Sequence, residues 1–220
     1  MPEATKNRSY KEASSRCWPT GSVSVAPRVR PCQSVHARIH GMRRIADIDI
    51  LDDQSLLRDM TVQGWIILAA GVALGLAGIA LGLLSPRGVG VAWFLCVAAA
   101  YVASLAVHEL VHACLFKLFG GRGAHVGFGA RWGMLYTSAK GLVLPRKQFC
   151  CVLLGPSVIV TAALLVAGAL IGQPLAGWAV AVLHLSGCTG DFAMVRAIAG
   201  EPRALLVEDT EKGVALYEDS

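Results

Sequence analysis

YVASLAVHELVHACLFKLF, residues 101–119, is an apolar helical run with His108, Glu109 and His112 in its second half. Spacing i, i+4 brings His108 and His112 one turn apart on the same helix face. Two neutral imidazoles so placed can hold a divalent metal, Zn²⁺ above all. Glu109 then stands beside that face, where it can take a proton from a polarised water. The plainer reading is an accidental coincidence of three polar residues. Such accidents belong on solvated helices, whereas here Val, Leu and Ala surround the three, and an uncompensated buried charge costs several kcal/mol. A metal compensates it directly, so the stretch is read as a metal site inside a membrane-grade helix.

Composition supports that setting. Of 220 residues, 55% are hydrophobic and 16% charged. Between Met60 and Ile198 the only carboxylates are Glu109 and Asp191, far too few for a soluble domain of that length. The net charge of +5 reflects basic segments flanking membrane spans, not a nucleic-acid partner. Five of the seven cysteines lie in or beside apolar spans and no C-x-x-C occurs, so no disulfide framework is expected. Cys188 stands three residues before Asp191.

In chain order, residues 1–45 read as a disordered basic N-terminal tail, with Met42-Arg43-Arg44 an alternative start. A short acidic-apolar stretch, 45–59, suits an interfacial helix. The expected fold class is all-α and polytopic, with about four transmembrane helices near 62–84, 89–115, 149–171 and 175–198. Together they make a membrane-embedded domain over 46–198, and 199–220 reads as a charged C-terminal tail. Gly71, Gly75 and Gly78 near one face of the first span predict close helix packing. The Gly-rich loop between the second and third spans, GGRGAHVGFGARWG at 120–133, lacks a phosphate-loop ending and suits a re-entrant hairpin or short strands. Its neighbourhood could hold an extended peptide by strand addition.

Lys and Arg fix the orientation. The first 44 residues carry nine of them, and 117–148 carries Lys117, Arg122, Arg131, Lys140, Arg146 and Lys147 with no acid, against Arg87 on the other side. Both termini and the long loop are therefore expected to be cytoplasmic. His108, His112 and Asp191 then lie at similar depth. A catalytic zinc needs a third protein ligand, and Asp191 is the one other carboxylate in the region. Its alternative is an interfacial Asp pairing with Arg196. His184, two turns before Asp191, suits a role behind the ligands or facing substrate, as do Tyr136 and Pro156; a plainly packed histidine is the rival for His184. His125 is a weaker ligand candidate.

His108-Glu109-Leu110-Val111-His112, Leu154-Gly155-Pro156-Ser157 and Gly190-Asp191-Phe192, with the Tyr136-Thr137 loop between, resemble membrane-embedded zinc metalloproteases. The likeness is to the family described as "putative zincin peptidase", and more distantly to site-2 proteases, over residues 64–198. Two positions depart from the site-2 pattern: no Asn follows Gly155-Pro156 at the expected place, and Phe192 stands where those proteases have Gly. The resemblance implies zinc ligands at His108, His112 and Asp191 and a general base at Glu109. The expected function is that of a zinc-dependent metalloendopeptidase at the cytoplasmic membrane surface, acting on a peptide or membrane-protein substrate. Two rivals use the same residues: a membrane metal carrier, and a b-type haem protein with His112 and His184 as axial ligands.

Overall fold

The computed structural model describes residues 41–49, 54–131, 134–210 and 213–219. Three long helices follow one another: α1 (Gln54–Ala80), α2 (Val91–Gly120) and α3 (Arg146–Leu170). The shortest has 25 residues, about 37 Å of helix against a hydrocarbon core of about 30 Å. The expected fourth span is broken. α4 (Pro174–Gly187) and α5 (Thr189–Gly200) meet at 45° around Cys188. Among the described residues, three helices are thus long and apolar enough to cross a bilayer, with a fourth span if the bent pair counts as one.

Small residues set the helix packing. A Cβ on Gly71 would meet Val182 at 2.3 Å, and one on Gly75 would meet the Trp178 indole at 2.8 Å. The Trp178 N–H donates to the Gly71 carbonyl at 3.0 Å. The face expected from Gly71 and Gly75 therefore packs on α4, while Gly78 makes room for Leu84 in its own C-terminal turn. Gly168 and Gly177 bring the α3 and α4 backbones together: a Cβ on Gly168 would lie 2.6 Å from the Gly177 Cα. The outer faces stay apolar and open, with Trp65, Leu76, Val102 and Leu170 all more than 60% exposed. Such a surface suits lipid and not water.

The fold is mostly helical without being all-α. Strands β2 (Gly127–Arg131) and β3 (Met134–Ser138) form an antiparallel hairpin, pairing Gly129 with Tyr136, in the Gly-rich loop where short strands were expected. A second, four-stranded sheet has the order β1-β6-β5-β4, built from β1 (Met42–Asp49), β4 (Val143–Pro145), β5 (Leu206–Asp209) and β6 (Gly213–Asp219). All its neighbouring strands are antiparallel. The segment read as a charged C-terminal tail therefore supplies two strands. The stretch read as an interfacial helix begins as β1 instead, with α1 starting at Gln54. The reason is alternation: Ala46 and Ile48 alternate with Asp47, a period of two that serves a half-buried strand. Of the N-terminal tail, residues 1–40 lie outside the described residues. Leu144 of β4, Val207 of β5 and Leu216 of β6 pack with Phe116, Phe149 and Ile198 from the helix ends to form a buried core.

Candidate metal centre

The bend at Cys188 places Asp191 in the first turn of α5, where the positive end of the helix dipole favours a carboxylate. That turn faces the His108–His112 side of α2. His108 Nε2 and His112 Nε2 lie 3.0 Å apart. Asp191 Oδ2 is 3.2 Å from the first and Oδ1 is 3.4 Å from the second. Three donors from two elements thus converge within a few ångströms, each offering a free atom of the kind divalent zinc accepts. The three residues fit a metal by donor chemistry and spacing, and sequence reasoning named all three.

The opposite ring nitrogens are also engaged. His108 Nδ1 lies 3.0 Å from His184 Nε2, and His184 Nδ1 lies 3.1 Å from the Thr161 hydroxyl. With Nε2 of His108 turned toward the metal position, its Nδ1–H donates to His184, whose own Nδ1–H donates to Thr161. His112 Nδ1–H donates to the Val152 carbonyl at 3.0 Å. That carbonyl would ordinarily bond the amide four residues on, but residue 156 is proline and has no N–H. Pro156 is buried within α3 and does not line the cavity. Its contribution is the free carbonyl it leaves for His112. The neighbouring Gly155 lets α2 close in, since a Cβ there would meet Leu115 at 2.3 Å.

A second group, His108, His184 and Cys188, also brings ligand atoms together. Cys188 Sγ lies 3.7 Å from His108 Nδ1 and donates to the His184 carbonyl at 3.2 Å. This group uses the far side of the same His108 ring. It cannot use His108 Nδ1 while that atom donates to His184, so Cys188 packs behind the ligand. His108 also fills the space between His112 and His184, leaving no slot for a porphyrin plane, which counts against the haem rival.

Glu109 is tied to β3. The Thr137 hydroxyl lies 2.7 Å from Glu109 Oε2 and 3.0 Å from the Glu109 backbone carbonyl. Both residues line a cavity of about 370 Å³ together with His108, His112, His184, Asp191 and Tyr136. Tyr136 therefore reaches the site, its ring lying over Gly129 of the neighbouring strand, where a Cβ would come within 2.3 Å. His125 is exposed and joins no ligand group among the described residues. Sequence reasoning did not assign Thr137 as the partner of Glu109, nor place Asp209 of β5 in the cavity wall. A hydroxyl at the end of a strand carries no signal of its own, and Asp209 lay in a segment read as tail.

Residues 101–206 match the family model described as "Putative zincin peptidase". The matched stretch begins seven residues before His108, runs through the hairpin, α3 and the bent pair, and ends at the first residue of β5. It supports the zincin-peptidase resemblance for the segment that carries the candidate metal ligands, a little under half of the chain. Comparisons with curated proteins and with solved structures return no match.

Proposed function

We propose that this protein is a membrane-embedded zinc metalloendopeptidase that hydrolyses a peptide bond near the cytoplasmic membrane surface. The observation that carries the reading is the convergence of His108 Nε2, His112 Nε2 and the Asp191 carboxylate, backed by hydrogen bonds on the far ring nitrogens. His108, His112 and Asp191 would hold the ion. When bound, zinc supplies Lewis-acid polarisation of a scissile carbonyl and of water. The chain supplies the rest. Glu109, steadied by Thr137, accepts a proton at its carboxylate and returns it to the departing amine nitrogen. Tyr136 and Leu135 of β3 form the wall along which an extended peptide would lie.

Strand pairing supports the membrane topology. β1 precedes α1, β4 joins the α2–α3 connection, and β5 and β6 follow α5, yet all four belong to one sheet. Membership of one sheet supports placing all four on one side of a bilayer. α1 and α2 then make one return crossing, and α3 with the α4–α5 pair makes another. The excess of Lys and Arg in 117–148 over the single Arg87 opposite supports a cytoplasmic placement of that side.

The test compares detergent-purified wild type with Glu109→Gln. Both should carry one zinc per chain by elemental analysis, while turnover of a quenched-fluorescent peptide library should fall in the variant by about 10²–10⁴-fold. Wild-type protein without bound divalent metal, or a variant as active as wild type, refutes the proposal. A metal carrier would retain transport in Glu109→Gln, which a hydrolase has no reason to do.

A further inference from the structure

Asp209 ends β5, a strand of which all but the first residue lies beyond the family match. It is 8% exposed and lines the same cavity as the three proposed ligands. Its side-chain Oδ2 accepts the Ala139 N–H at 2.5 Å. Its backbone N–H donates to the Leu142 carbonyl at 3.1 Å, and its carbonyl accepts the Gly141 N–H at 2.9 Å. Three bonds from one residue thus fasten the turn at residues 139–142. That turn passes through Gly141 at φ +74°, a left-handed conformation that glycine adopts without strain. Ala139 is fully buried and stands two residues after Thr137, whose hydroxyl holds Glu109. Among the described residues β3 has one strand partner, β2, so beyond the Thr137 contact to Glu109 its far end is steadied by this turn.

We propose that Asp209 is a positioning residue: by clamping the 139–142 turn it sets the register of β3 and hence the seat of Glu109 beneath Thr137. The inference rests on the peptidase reading for its kinetic consequence, and on hydrogen bonding alone for the clamp. The Ala139 amide is buried and must find an acceptor or cost about 1–3 kcal/mol. A neutral acceptor of the same shape would serve, so the role belongs to the Asp209 oxygen and not to its charge. Around it stand Glu208 on the same strand, Lys140 in the clamped turn and His112 across the cavity.

Full-length Asp209→Ala and Asp209→Asn, purified with zinc, test this. Asp209→Ala should speed hydrogen exchange in peptides covering residues 134–142. It should also lower kcat on the quenched peptides by about tenfold with KM little changed, since small misplacements of a reacting group are costly. Asp209→Asn, which keeps the acceptor, should behave as wild type in both measurements. Zinc stoichiometry should be unchanged in both variants. Wild-type exchange at 134–142 in Asp209→Ala overturns the clamp, and so does an Asn variant as impaired as Ala. Loss of zinc would overturn the role by showing that Asp209 acts on the ligands. Should the wild type prove to hold no zinc and cleave nothing, the peptidase reading fails while the exchange measurement still decides the clamp.

Discussion

Replacing His184 by leucine tests whether the metal position lies on the Nε2 side of His108. His184 is 1% exposed, so the change leaves a filled, apolar site and a His108 Nδ1–H with only the weak Cys188 sulfur, 3.7 Å away, as an acceptor. An unpaired buried donor costs about 1–3 kcal/mol. Removing the partner of a metal-ligating histidine typically weakens metal binding by 10–100-fold, about 1.4–2.7 kcal/mol, and the two ranges agree. Zinc affinity, read by competition with a chromophoric chelator in detergent, should drop by that factor while one zinc still binds at saturation. Cys188→Ala is the companion: Cys188 Sγ stands 3.7 Å from His108 Nδ1 and should leave affinity within about twofold if it only packs behind the ring. Wild-type affinity in His184→Leu would refute the reasoning. So would a collapse of binding in Cys188→Ala, which would move the ion to the His108–His184–Cys188 side.

Asp191→Ala removes the only carboxylate among the three donors and should abolish stoichiometric zinc in elemental analysis; retained zinc would promote His184 into the ligand set. Pro156→Ala restores an N–H opposite the Val152 carbonyl. Thermal stability should rise, by up to about 3 kcal/mol. Zinc affinity should fall by roughly fivefold, about 1 kcal/mol, as His112 Nδ1 shares its acceptor; both effects read in one melting and titration series. Burial pushes the Asp209 carboxyl from 3.8 up to about 7. Its ionised form is thus disfavoured in the folded state, and the contribution of Asp209 to stability declines as pH rises from about 4 to about 7, by on the order of 4 kcal/mol. Asp209→Asn lacks this decline and should gain in melting temperature over wild type as pH rises through that window; parallel curves for the two proteins would refute the assignment.

The candidate site was legible because an apolar helical stretch makes polar residues conspicuous. His108, Glu109, His112 and Asp191 stand alone among apolar neighbours, and only a few arrangements compensate them. The partners of those residues were less legible. Val152 contributes a backbone carbonyl, visible in the sequence only through a proline four positions on, and Thr137 is one hydroxyl among several in its loop. The four-stranded sheet escaped because each strand is short and its partners are remote. Arg43 pairs with Glu218 across 175 positions, a relation that no local periodicity announces. The break at Cys188 had a faint signal in Ser186-Gly187-Cys188-Thr189-Gly190, a run of small residues in an otherwise apolar span.

The pairing of β1 with β6 has a consequence for biogenesis. The first of these strands leaves the ribosome while its partner lies some 175 residues from being made, roughly 10–35 s at ordinary elongation rates. Through that interval β1 lacks the one neighbour it has in the sheet among the described residues. The four-stranded sheet, and with it the strand that carries Asp209 into the cavity wall, therefore closes only after the five described helices have been made.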